Sequence, residues 1–172
     1  MDEYLDFLQA VIWDKGPMGL GYYYRRSYEI VLVARKSGAS SLKWYDTSNT
    51  VENIIRPGQY GIRKIIPDRN QHPTIKPVEL SAFFIQLHSK PGDVVFDPFM
   101  GEGTTGVAAV SLGRKFIGIE MDEVWFGKAC ASIEKASRGL FHIDQRVHPN
   151  RPDPLFYQSR KHKLHVKIKG KR

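Results

Sequence analysis

The chain has 172 residues, 41% hydrophobic, 12% aromatic and 26% charged, which is the size and composition of one globular domain and excludes disorder throughout. Its formal net charge of +8 is unevenly spread: residues 1–137 hold 16 Lys/Arg against 16 Asp/Glu, whereas residues 138–172 hold the other 10 basic groups against Asp144 and Asp153 alone. No apolar run reaches the ~20 residues that span a bilayer and the start, Met1-Asp2-Glu3, is acidic, so a cytoplasmic location without a membrane anchor is expected. The single cysteine, Cys130, cannot close an internal disulfide, and no His/Cys cluster has zinc spacing, so neither staple nor metal is expected.

In chain order, residues 11–14 form a short strand, and the glycines and proline of residues 15–21 turn the chain. A run of β-formers over residues 28–33 is the next strand. Residues 39–72 are polar and irregular, with a short strand around residues 62–66. Pro77 then opens a helix to about Ser89, with Leu80, Phe83, Phe84 and Leu87 as its apolar stripe. Beyond it the pattern becomes strand (residues 94–97), glycine loop, helix (104–112), strand (116–120) and helix (123–136), with Gly113 closing the first of these helices and Asp122 capping the second. That alternation predicts parallel strands joined by helical crossovers, the core unit of a doubly wound α/β sheet. Residues 138–172, with three prolines among their basic groups, read as an extended arm that attracts nucleic acid or merely solubilises.

In such sheets ligands bind beyond the carboxyl ends of the strands, where Asp97, the glycine loop and Glu120 fall. Residues Gly101-Glu102-Gly103-Thr104-Thr105-Gly106 satisfy the G-x-G-x-x-G pattern of dinucleotide sites, which keeps a nicotinamide-dependent oxidoreductase open as a rival. Two features oppose it. Three residues separate the strand from the first glycine, and Asp97 and Glu102 would repel a pyrophosphate that needs donors and a positive field. S-adenosylmethionine suits the acids better: it has no phosphate, it carries an ammonium and a sulfonium, and its ribose diol can meet an acid at the next strand end. The bland alternative makes the glycines a tight turn and Glu120 a solvated strand end.

The segment His72-Pro73-Thr74-Ile75-Lys76-Pro77, then Asp97-Pro98-Phe99-Met100-Gly101-Glu102-Gly103-Thr104-Thr105, then Gly118-Ile119-Glu120-Met121-Asp122, resembles the DNA amino-methyltransferases of the N6-adenine/N4-cytosine type with permuted motif order. The stretch from Trp13-Asp14-Lys15-Gly16 through Tyr45-Asp46 is also similar to bacterial and phage members, so the resemblance covers residues 1–137. It implies a Rossmann-like, S-adenosylmethionine-dependent methyltransferase fold, with residues 1–137 a partial domain incomplete at the N-terminus, residues 39–72 within it a candidate DNA-recognition insert, and residues 138–172 a basic tail. It further implies that Asp97, Phe99, Gly101 and Gly103 line the methionine end of the cofactor, that Thr74 and Lys76 approach the same end from the preceding segment, that Thr104 also binds the cofactor, and that Glu120 accepts the ribose hydroxyls. One departure is Glu102, where the family usually has a small serine.

The larger departure concerns catalysis. Members carry a tetrapeptide of an acid, amide or serine followed by Pro-Pro and an aromatic, and none of the ten prolines here is adjacent to another. Such an element accepts the protons of a weakly nucleophilic exocyclic amine while its aromatic ring stacks on the flipped base, so no catalytic residue is assigned. Double-stranded DNA is the expected partner, contacted by Tyr22, Tyr24, Arg25 and Arg26 and by Lys161, Lys163 and Lys167 of the tail. A hairpin whose tyrosines alternate between core and surface is the competing reading for the tyrosine run. The functional expectation is a site-specific DNA methyltransferase, adenine N6 before cytosine N4, present as a truncated or C-terminal portion. The alternative is a noncatalytic cofactor- or DNA-binding module, or half of a split enzyme whose other polypeptide supplies the catalytic element.

Overall fold

The computed structural model describes residues 3–16, 22–39, 51–62, 76–139 and Ile143. Its first unit is a hairpin of β1 (Leu5–Asp14) and β2 (Tyr28–Lys36), antiparallel in the register Trp13↔Glu29 and Asp14↔Tyr28 and shifted between Phe7 and Gln9. A two-residue strand, β3 (Ile54–Ile55), lies parallel to the other edge of β1, pairing Ile12 with Ile54 and Trp13 with Ile55. The second unit alternates strand and helix: α1 (Val78–His88), β4 (Val94–Asp97), α2 (Thr104–Ser111), β5 (Lys115–Gly118) and α3 (Glu123–Ser137). Strands β4 and β5 are parallel, in the register Asp97↔Gly118, which is the expected strand–helix–strand crossover. Strand β1 begins six residues before its predicted start, and β5 ends two residues before its predicted end, so Ile119 and Glu120 already belong to the turn beyond β5. No strand forms at Ile62, the one residue of the predicted 62–66 strand among those described.

Helix α1 joins the two units because it is apolar on two sides rather than along a single stripe. Leu80, Phe83 and Leu87 pack with Trp13, Ile55 and Ile62 under the hairpin, whereas Ala82 and Ile85 face Val107, Ala108 and Ala109 of α2. Small residues let α2 sit close to everything around it. A Cβ on Gly106 would lie 2.5 Å from Ile133 Cδ1 and 2.7 Å from Phe116 Cε1, so α2, α3 and β5 meet at a distance that only glycine permits.

Arg114 secures the far end of this packing. The side chain is buried, and it donates through Nε to Ser89 Oγ (3.1 Å), through Nη1 to the Leu112 carbonyl (2.6 Å) and through Nη2 to the Ser89 carbonyl (2.6 Å). Those carbonyls end α1 and α2, where helix geometry leaves acceptors over and the dipoles favour a cation. A guanidinium supplies the fork of donors needed to serve both at once. Replacing Arg114 by methionine leaves two half-buried carbonyls without their donor, so the urea unfolding free energy should fall by about 1 to 3 kcal/mol with the native fold otherwise kept.

Candidate functional site

The site forms where β4 and β5 end. Asp97 closes β4, and its Oδ1 accepts the Phe99 amide at 3.0 Å, which bends the chain away from the strand direction. The Asp97 carbonyl accepts from Ile119 N (3.0 Å) and the Ile119 carbonyl from Met100 N (3.0 Å), so the turns after the two strands are laced together. Met100 is buried, whereas Phe99 is 86% exposed at the mouth. Gly101 and Gly103 have φ of +52° and +79°, the left-handed region that glycine enters without strain. Their surroundings differ. Nothing lies within 4 Å of a Cβ built on Gly101, which leaves its backbone open to a ligand, but a Cβ on Gly103 would meet Ala129 Cβ of α3 at 2.9 Å. Thr104 starts α2 directly behind Gly103.

Glu120 ties the loop to the turn beyond β5. Its Oε2 accepts from Gly101 N (2.9 Å), and its Oε1 from Met121 N (2.8 Å) and Asp122 N (3.0 Å). The amide of Asp122 contributes most to holding this carboxyl below the ordinary glutamate value, with those of Gly101 and Met121 adding to it against a partial desolvation and the repulsion of Asp122. A carboxylate offers about four acceptor positions, so three backbone donors leave one, on Oε2, for an incoming hydroxyl. Asp122 in turn caps α3 as expected, accepting from Val124 N (2.9 Å) and Trp125 N (3.0 Å). Met121 was not singled out in the sequence, yet it is 91% exposed beside Glu120, and an apolar side chain directly after the acid is the signal that marks it.

The other predicted residues lie elsewhere or outside what is described. Lys76 precedes α1 and its Nζ is 2.9 Å from Glu29 Oε2, an ion pair that ties it to β2. Tyr22 and Tyr24 are 91% and 100% exposed, as is Tyr23 between them at 98%, and Arg25 and Arg26 are exposed beside them. The competing reading, tyrosines alternating into a core, does not describe them. Thr74, Lys161, Lys163 and Lys167 fall outside the described residues, as does the tail beyond Ile143. No helix among the described residues is long and apolar enough to cross a membrane.

Comparison with known proteins places this arrangement. The family model of the N6/N4 type, described as DNA methylase, matches residues 1–127. The chain belongs to this family. It is 32% identical over 137 residues to the Type II methyltransferase M2.DpnII of Streptococcus pneumoniae, covering 74% of this chain and 51% of that protein. It is 41% identical over 76 residues to the DNA adenine methyltransferase YhdJ of Escherichia coli K12, covering 44% of this chain and 26% of YhdJ. Among solved structures, the M1.HpyAVI–SAM complex superposes with a TM-score of 0.60 at 32% identity, over 76% of this chain and 63% of that one. The chain therefore spans about half the length or less of the curated relatives it matches. Together with the strand–helix–strand core, this likeness gives a Rossmann-like methyltransferase fold.

Since the folded state lowers the Glu120 pKa, its carboxylate stabilises the loop fully above the ordinary value of 4.5, and that contribution disappears as the pH falls through the depressed one. An NMR titration should show the Gly101 and Met121 amides moving together with a midpoint below 4.5, and should show no such step in Glu120→Gln.

Proposed function

We infer that the chain serves an S-adenosylmethionine-dependent DNA methyltransferase specific for an exocyclic amino group, adenine N6 in preference to cytosine N4. The observation that carries this reading is the pair of acids, Asp97 and Glu120, at the ends of adjacent parallel strands around a glycine turn whose first glycine is open. No phosphate is served by that pair, whereas a cationic amino acid joined to a nucleoside is. Asp97, Phe99, Gly101 and Thr104 would surround the methionine end, with Thr74 and Lys76 approaching from the segment before α1. Gly103 would act by bringing α2 against α3. Glu120 would accept one ribose hydroxyl at its remaining position, and the exposed Met121 and Phe99 suit apolar contact with the nucleoside. When bound, the cofactor supplies a methyl group activated on a sulfonium. That a protein named DNA adenine methyltransferase is among the relatives favours adenine.

Duplex DNA would be contacted by the exposed Tyr22 and Tyr24, which can stack on bases, by Arg25 and Arg26, and by the tail lysines Lys161, Lys163 and Lys167. A cytoplasmic location accords with such a substrate. The second reading, a binding module or half of a split enzyme, is favoured by one specific observation. All the described helices that pack on the β4–β5 pair do so on the Val95–Phe116 face, and Val94, Phe96 and Ile117 on the other face are exposed. Parallel strands are ordinarily covered on both faces, and among the described residues β4 pairs with β5 alone. We therefore propose that a polypeptide segment carrying the Pro-Pro-aromatic element packs there and completes the site.

Calorimetric titration should show tighter binding of S-adenosylmethionine than of NAD, and Asp97→Ala should weaken the former by about 1 to 3 kcal/mol. Tighter NAD binding would overturn the cofactor assignment. Incubated with labelled S-adenosylmethionine and mixed-sequence DNA, the 172-residue chain should transfer no methyl group until a separately expressed segment bearing the tetrapeptide is added. Equal rates with and without that segment would show that the catalytic groups lie within the chain.

A further inference from the structure

The turn between β1 and β2 is closed at its base by several contacts. Lys15 N donates to the Ser27 carbonyl at 2.8 Å, Gly16 N to Asp14 Oδ1 at 2.8 Å, and Lys15 Nζ reaches Glu29 Oε1 at 3.1 Å. Lys15 and Ser27, on either side of the exposed tyrosines and of Arg25 and Arg26, therefore stand at the hairpin end beside one carboxylate. The other oxygen of that carboxylate, Oε2, holds Lys76 Nζ at 2.9 Å. Lys76 directly precedes Pro77, whose fixed φ of −60° leads into α1, and it is two residues beyond Thr74. One side chain thus spans the base of the turn with one oxygen and the segment before α1 with the other.

Each arm alone is a modest attachment. The three side chains are between 25% and 38% exposed, and a partly exposed ion pair contributes little to stability. Partial burial raises the Glu29 pKa, but the hydrogen bonds and charges of Lys76 and Lys15 outweigh it and hold the group below its ordinary value. The carboxylate therefore stays ionised at neutral pH, with one oxygen on each lysine.

The geometry points to Glu29 as a positioning residue that couples duplex DNA contact at the Tyr22–Tyr24 turn to S-adenosylmethionine binding beside Lys76. This rests on the proposed cofactor and substrate and adds an energetic link between them. DNA contact that holds the hairpin end at Ser27 and Lys15 holds Glu29, hence Lys76 at the entry to α1. By linkage the effect is reciprocal, so cofactor must tighten DNA by the factor by which DNA tightens cofactor.

The test is the ratio of S-adenosylmethionine dissociation constants without and with a saturating mixed-sequence duplex, measured by calorimetry on the full chain. A side chain that only supports the fold changes both constants alike and leaves this ratio alone. The parent should give a ratio of about five or more, within the usual range of coupling between sites, and Glu29→Gln should bring it close to one. Lys15→Met removes the turn arm while leaving the Glu29–Lys76 pair, so it should also lower the ratio while cofactor affinity without DNA changes less than about twofold. It carries the test if thermal melting shows Glu29→Gln to be unfolded. A parent that binds both ligands with a ratio of one, or folded variants that keep the parent ratio, overturns the coupling and leaves the proposed function standing. A parent that binds neither ligand overturns both.

Discussion

The structure depends on how closely α2 approaches α3 and β5. Gly106 has no room for a Cβ against Ile133 and Phe116, and Gly103 has none against Ala129, so the helix that starts at the glycine turn is seated at the minimum distance from its neighbours. Because Thr104 begins that helix directly after Gly103, the same close approach sets where the turn stands relative to Asp97 and Glu120. A packing constraint inside the domain thereby fixes the polar geometry at its surface. The buried alanines Ala108 and Ala109 continue it on the side of α1, and α1 carries it to the hairpin through Phe83 and Leu87.

Two glutamates then organise what the packing leaves free. Glu120 receives backbone amides from both sides of the site, and Glu29 receives two lysines from separate segments. Glu120 joins the turns that follow β4 and β5, and Glu29 joins the hairpin end to the segment before α1. The difference lies in the donors. Amides held by a turn give Glu120 a rigid frame, whereas two flexible ammonium groups give Glu29 a linkage that moves with its partners.

What could be read in the sequence was local. Asp122 as a cap, Gly113 after α2, Pro77 ahead of α1 and the turn at Gly101 and Gly103 are each decided by residues within a few positions, and each stands where expected. The early start of β1 was hidden because its first half is mostly exposed and shifts register at Phe7, so no alternation marks it. Strand β3 consists of two residues made into a strand by Ile12 and Trp13, some forty positions away, and no local pattern announces such a pairing. Helix α1 has a second apolar side that its sequence marks only weakly, because Ala82 and Ile85 are small beside the aromatic residues of the other side. The same limit applied to Lys76: its ion pair with Glu29, on a distant strand, has no local signal in the sequence.

Arg114 reaches main-chain carbonyls of Ser89 and Leu112 together with one hydroxyl. Carbonyls are present whatever side chain the residue carries, so this anchorage asks almost nothing of the identity of its partners. Residues at the ends of α1 and α2 can drift through evolution without dissolving it, provided the two chain ends keep their path. The domain is thus held at that end by shape rather than by matched residues, and its architecture can outlast most of the sequence similarity that would reveal it.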